Sequence, residues 1–390
     1  MNPRLLLFLI VFSQFAGTSL WFVGNVLVAS LEEVLVLPEG AVGHLVSAVQ
    51  FGFICGTFLF ALLTIPDRFA PSRVFFSCAL AGALCNLGIY WASDFNSLLV
   101  LRFGTGFFLA GIYPVGMKIA ADWHEKGLGK ALGYLVGALV LGTAFPHLLR
   151  SFLLTLPWQY ILFSTSLFAA FGGLLILLFV PEGPYRKAGK QFNFRAFFSV
   201  FRERNFRAAA FGYFGHMWEL YAFWAFVPIL LGHWQAQQPA ATVNVSLWSF
   251  VIIGIGGAAC VLGGYWSQRI GSYRVAMVGL VVSGACCVLS PLIFDWPFPV
   301  FVVVLLVWGA AVIVDSPQFS TLVSQSAARN TVGTALTIVN CIGFAITIVS
   351  IQLLTALDGV LNGKYWYLCL ALGPLLGILA LRNFRHTSPP

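Results

Sequence analysis

The chain is written as long apolar blocks separated by short polar ones. A typical block runs for about 20 residues, the length a helix needs to cross roughly 30 Å of hydrocarbon. Inside the blocks the apolar residues run on continuously. Strands of a membrane barrel would instead alternate polar and apolar residues at every second position. The pattern therefore excludes a barrel and predicts an all-α polytopic membrane protein. Twelve spans fit, at about 5–29, 41–63, 74–93, 98–120, 130–154, 158–180, 206–231, 246–266, 274–294, 299–322, 331–356 and 364–382. The first block, MNPRLLLFLIVFSQFAGTSLWFVGNVLVAS, begins like a signal peptide. Its apolar run is too long for an h-region and many similar blocks follow, so it reads as an uncleaved first helix.

Composition supports this pattern. The 390 residues are 59% hydrophobic and 9% charged, where a soluble domain carries about 25% charged residues. The net charge of +8 is sorted by loop. Alternate connections hold Arg68 and Arg73; Lys118, Lys126 and Lys130; Arg269 and Arg274; and Arg329. The ends add Arg4, Arg382 and Arg385, and the middle connection adds Arg186, Lys187, Lys190, Arg195, Arg202, Arg204 and Arg207. The opposite connections hold Arg150 and Lys364 with Glu32, Glu33, Glu39, Asp94, Asp295 and Asp358. The positive-inside rule then predicts cytoplasmic termini in a cell membrane, with the bacterial inner membrane as the expected setting. This asymmetry explains the basic balance without a nucleic-acid partner. Phe192, Phe194, Phe197 and Phe198 alternate with arginines in the middle segment, which reads either as an interfacial helix or as an ordinary basic linker.

The eight cysteines all lie in apolar runs and show no metal-ligand spacing. They read as small apolar residues, and neither a metal nor a cofactor is expected. No Walker loop, zinc motif or hydrolase elbow is present, so no enzyme activity is expected.

The two halves echo each other. DRFAPSR, ending at Arg73, and QRIGSYR, ending at Arg274, occupy matching connections, and Pro114 matches Pro317 further on. The division predicted is a first bundle at 1–181, a basic linker at 182–205 and a second bundle at 206–390. Over nearly its whole length the chain resembles the major facilitator superfamily. That family carries a G-x-x-x-D-R-x-G-R-R signature between helices 2 and 3, weakly repeated between helices 8 and 9. The first copy here keeps Asp67, Arg68 and Arg73, with Leu63 and Ala70 at glycine positions; the second keeps Gly264, Arg269 and Gly271, with Gln268 at the acidic position. Arg102, Gly104 and Gly106 fit the helix 4 signature loosely. The resemblance implies two pseudo-symmetric six-helix bundles rocking about a central site, with Asp67, Arg68, Arg73, Gly264, Arg269 and Arg274 in the loops that switch between states. Helix 5 holds Gly133, Gly137, Gly142 and Pro146 but lacks the G-P-x-x-G-G ending of drug/proton antiporters.

The candidate chemistry lies in the few polar residues of the spans. A carboxylate at mid-bilayer costs roughly 2.5–3.5 kcal/mol, so Asp315 reads as a proton carrier or substrate contact, or as a structural acceptor at a helix bent by Pro317. Glu219 and His216 are three residues apart on one helix face. Together they read as a proton-handling pair or as a self-satisfied packing pair. Arg102 reads as a substrate contact or a packing lock, and Lys118 as a snorkelling side chain. The resemblance implies that helices 1, 4, 7 and 10 line the cavity. Asn25, Tyr113, Glu219 and Asp315 are then the favoured lining residues; Trp21, Gln318 and Asn340 are also expected at the substrate, with Gln14, Gln50, Trp218 and Trp224 as lesser candidates. The expected function is secondary active transport of a small organic solute, a monoanion being suited, by proton-coupled uptake in a monomer. A drug or metabolite antiporter of the same fold and a non-transporting receptor or channel are the alternatives.

Overall fold

A computed structural model describes residues 3–124, 128–153, 156–186, 199–238, 242–328, 331–358 and 360–385. The described residues form helices and contain no strand. Among the described residues twelve helices are long and apolar enough to cross a membrane: Arg4–Leu31, Ala41–Leu62, Pro71–Trp91, Phe95–Trp123, Lys130–Phe152 and Gln159–Phe179, then Arg204–Gln237, Val245–Ile270, Ser272–Ile293, Phe298–Ser326, Val332–Leu357 and Gly363–Leu381. They are numbered here as spans 1 to 12. Each lies where the sequence predicts one, although span 7 runs beyond 231. Pro228 sits inside it without ending it, because Leu230, Leu231 and Trp234 stay buried past the proline and hold the helix in place. Most of the basic middle segment, with Lys187, Lys190, Arg195 and the phenylalanines from 192 to 198, lies outside the described residues, as do Lys126 and Arg329.

Spans 1 to 6 pack mainly among themselves, span 1 against 5 and 6, span 2 against 4, and span 3 against 6. Spans 7 to 12 do likewise, span 7 against 11 and 12 and span 10 against 8 and 9. Bulky apolar side chains such as Phe8, Leu84, Val100, Leu167, Val278 and Val288 are exposed. In water such a surface would drive aggregation, and in a bilayer it meets lipid. The two groups of six join along spans 5 and 8 and along spans 2 and 11. The first joint is backbone-close: a Cβ on Gly137 would stand 2.9 Å from the Gly257 carbonyl oxygen. Helices in lipid associate through such small-residue contacts, which accounts for the glycine-rich stretch around 254–264.

Three spans are broken near their middles. Span 1 divides into Pro3–Thr18 and Val23–Leu31, span 4 into Phe95–Leu109 and Tyr113–Trp123, and span 10 into Phe298–Val314 and Ser316–Ser326. Pro114 and Pro317 each stand in the first turn of a second piece. A proline is tolerated there, since first-turn N–H groups have no intrahelical partner. Span 1 breaks without a proline.

At the end of the molecule that carries the termini, Lys118 pairs with Asp67 at 2.9 Å and approaches Asp122 at 3.7 Å. Lys118 is thus fixed between two acids, where the sequence reading had it snorkelling free. Arg186 holds Glu182 at 2.6 Å and donates to the carbonyls of Asp67 and Phe69. In the second copy of the signature Arg269 and Arg274 are exposed. Gly271, at φ 87°, makes the turn between spans 8 and 9, and Gly264 faces open space.

Candidate functional site

The broken turn of span 1 places Trp21 between the bundles. Its ring lies 5.0 Å from Phe53 of span 2, 5.6 Å from Tyr221 of span 7 and 5.9 Å from Phe344 of span 11. Phe53 and Phe344 are 4.4 Å apart across the same joint. Nearer the end opposite the termini, Asn25 Nδ2 donates to the Ala225 carbonyl at 2.9 Å and Gln352 Nε2 to Ser47 Oγ at 2.8 Å. The bundles are therefore tied together on that side. On the other side of the Trp21 layer, Tyr113, Met117 and Asn340 remain partly exposed. Asn340 Oδ1 accepts from the Tyr213 hydroxyl at 3.0 Å. Gln318 is buried on the second piece of span 10.

Several buried polar atoms on spans 1, 2 and 7 have no hydrogen-bond partner among the described residues: both amide atoms of Gln50, Nε1 of Trp21 and of Trp224, and Oδ1 of Asn25. About nine in ten buried polar groups in proteins are paired. The unpaired indole N–H groups of Trp21 and Trp224 lie against aromatic rings at this joint, which suits a ligand that brings its own acceptors. Gln50, a lesser candidate in the sequence, is fully buried with both amide atoms unpaired among the described residues. Tyr221 and Phe344 were not singled out at all; the spacing of Tyr221 three residues before Trp224, on one helix face, was the available signal.

Arg102 is buried at 2% exposure. It donates to the Leu20 carbonyl at 3.2 Å through both terminal nitrogens, to Asn86 Oδ1 at 3.3 Å and to the Trp21 carbonyl. Among the described residues no carboxylate lies within ion-pair distance of it. A helix break leaves carbonyls without intrahelical donors, and this guanidinium supplies them. Asn86 is braced in turn by Ser166 at 3.0 Å and Thr165 at 3.3 Å. The side chain expected at the substrate thus holds, from behind, the turn that presents Trp21.

The acids lie in the second bundle. Asp315 stands at the break of span 10 with Oδ1 2.8 Å from His216 Nδ1, both side chains 1% exposed. His216 Nε2 has no partner among the described residues, and the ring lies near Tyr213 and Phe319 at 5.8 and 5.9 Å. Glu219 accepts from Ser283 Oγ at 2.8 Å, Trp308 Nε1 at 2.6 Å and Cys287 Sγ at 3.2 Å. The expected His216–Glu219 pair is therefore replaced by two separate arrangements. The i,i+3 spacing puts both on one face, but spans 9 and 10 offer each side chain a better partner than the other. That face points into the second bundle, where Phe223 stacks on Trp308 at 4.4 Å. Tyr221 and Trp224 take the face toward span 1. The acids sit behind the inter-bundle layer rather than in it. A carboxylate beside an imidazole can accept and pass a proton. Glu219 is met instead by three donors from spans 9 and 10.

Spans broken at mid-membrane, with unpaired polar groups between two six-helix bundles, define a membrane transporter. Residues 7–351 match the Major Facilitator Superfamily, and the chain belongs to that superfamily. The proteins it resembles are transporters, and the chain is not an enzyme. It is 24% identical to the probable L-galactonate transporter of Escherichia coli K12 over 190 residues, a stretch that spans 44% of this chain and 41% of that protein. Three solved structures share the fold. The proton:xylose symporter XylE superposes with a TM-score of 0.76 at 14% identity, over 98% of this chain and 95% of that one. The nucleoside transporter NupG gives 0.75 at 16%, over 98% and 100%. The human organic anion transporter TETRAN gives 0.71 at 16%, over 98% and 100%.

Proposed function

We propose that this protein is a secondary active transporter that takes up a small hydroxylated organic solute, a monoanion such as a sugar acid, by alternating access coupled to protons. The observation that carries the reading is the set of unpaired atoms on Trp21, Asn25, Gln50 and Trp224, on the three spans that meet where Trp21 packs against Phe53, Tyr221 and Phe344. Two indole N–H groups and an amide NH₂ suit a carboxylate or hydroxyl oxygens, and the amide oxygens accept from hydroxyl groups. The rings pack the apolar faces of such a molecule. Tyr113 and Asn340 stand at the accessible edge of the site and Gln318 behind it. The names of the relatives, which include sugar, sugar-acid and organic-anion transporters, agree with this substrate class. Asp315 with His216 carries the proton, Glu219 fixes span 7 to spans 9 and 10, and the loops around Asp67, Arg68, Arg73, Gly264, Arg269 and Arg274 move as the bundles rock. The loop charges favour cytoplasmic termini, and the missing antiporter ending on span 5 favours uptake.

The test is transport by purified protein in liposomes. Saturable accumulation of a labelled sugar acid, driven by an acid-outside pH gradient, is expected. Gln50→Ala should raise KM about fivefold or more, the effect of one or two lost hydrogen bonds. Non-saturating ohmic current would indicate a channel, and efflux driven by the same gradient would indicate the antiporter. Failure of every hydroxylated solute to accumulate would remove the substrate class.

A further inference from the structure

A cavity of about 510 Å³ lies outside the transport path, where spans 2 and 3 reach the membrane surface at the end that carries the termini. Its floor is apolar: Phe60, Val74 and Cys78 line it and are largely buried. Phe60 lies just before the end of span 2 at Leu62, and Val74 just after the start of span 3 at Pro71. The floor is thus level with the edge of the hydrocarbon. The rim is charged and carries Arg68, Arg73, Arg186 and Glu182.

The rim charges are not equivalent. Arg186 and Glu182 neutralise each other at 2.6 Å, and Arg186 is further tied to the carbonyls of Asp67 and Phe69. The nearby Asp67 carboxylate is taken by Lys118. Arg68 is exposed and spends one donor on Thr64 Oγ1 at 3.0 Å. Arg73 is exposed and pairs with no acid among the described residues. The rim therefore keeps an excess of two positive charges beside the first turn of span 3, where the helix dipole adds to the attraction for an anion. Arg73 and the exposed Ser77 are one turn apart on the same face of span 3, so the cavity opens sideways to the bilayer.

We propose that this cavity binds an anionic phospholipid, with its phosphate between Arg68 and Arg73 and the start of an acyl chain against Phe60, Val74 and Cys78. Basic pockets between membrane helices take acidic head groups in this way, and the apolar floor selects an amphiphile over a free ion. The proposal stands apart from the transported solute and its direction.

The test compares melting temperatures of the detergent-purified protein with added phosphatidylglycerol, phosphatidylcholine or inorganic phosphate. Phosphatidylglycerol should raise the melting temperature more than phosphatidylcholine, and phosphate should leave it unchanged. Arg68→Gln with Arg73→Gln should abolish the difference between the lipids. Equal shifts from the two lipids, or a difference that survives in the double variant, would overturn the proposal. A shift reproduced by phosphate alone would assign the site to a free anion and overturn the lipid. Arg73→Gln alone removes no ion pair found among the described residues. It should reduce the phosphatidylglycerol adduct retained in native mass spectrometry, and undiminished retention would count against the site.

Discussion

In the first bundle the most deeply buried charge is Arg102, and it is met mainly by backbone carbonyls of a broken helix. In the second bundle the buried charges are Asp315 and Glu219, and they are met by side chains of neighbouring spans. The difference is chemical. A guanidinium stays protonated in proteins, so Arg102 can brace a turn but cannot release a proton. A carboxylate, unlike a guanidinium, can both bind and release a proton. The first bundle thus holds a fixed support for Trp21, and the second holds two carboxylates in different settings, Glu219 against three donors and Asp315 against one imidazole.

The sharpest way to break this contrast is to remove the brace. Arg102→Leu leaves the carbonyls of Leu20 and Trp21 and the Asn86 side chain without their donor, each at about 1–3 kcal/mol. The variant is expected to fold poorly or to melt far below the wild type. Arg102→Lys keeps the charge without the planar fork and should fall between the two. A leucine variant as stable as the wild type, read by thermal melting in detergent, would refute the brace.

A smaller effect separates the two acids. Glu219→Leu strands the donors of Ser283, Cys287 and Trp308, so it should melt well below the wild type. Glu219→Gln retains an acceptor oxygen and should lose less. Asp315→Asn removes a buried charge and should leave the melting temperature unchanged or raised. Equal destabilisation by Glu219→Gln and Asp315→Asn would erase the distinction drawn between them.

The smallest effect lies at the surface, where neither bundle's charge is involved. Asp94 caps the helix that begins at Phe95, accepting from the Ser97 N–H at 2.8 Å. That hydrogen bond holds its carboxyl below the usual carboxylate range. Asp94→Ala should lower the melting temperature slightly and Asp94→Asn barely at all. With the pKa lowered in the folded state, the wild-type advantage is complete above the ordinary aspartate value and is lost as pH falls through the lowered one. A deficit in the alanine variant that persists below that pH would argue against the cap.

Much of this architecture was readable from the residues. Hydrocarbon thickness fixes the length of each apolar block, so the spans could be placed. Pro114 and Pro317 marked two of the breaks, because proline suits a first turn and disrupts an interior one. The break at span 1 carries no such mark and depends on Arg102, a residue 81 positions from Trp21. The partners of His216 and Glu219 were beyond reach for a related reason. Helical spacing gives the face a side chain occupies, but which neighbouring span supplies the partner is a tertiary fact. Gln50 was a lesser candidate because its lack of a partner among the described residues appears only once its surroundings are packed. The basic loops were legible as charge, yet the Lys118–Asp67 pairing required the path of the connection between spans 2 and 3.

The most direct test is to compare, in liposomes, the two kinds of transport that Asp315 should separate. Solute exchange down equal concentrations needs only the binding site and the rocking of the bundles, whereas accumulation driven by a pH gradient also needs the proton. Asp315→Asn should retain exchange and lose gradient-driven accumulation. Accumulation at the wild-type level in that variant would contradict the assignment of the proton to Asp315 and His216.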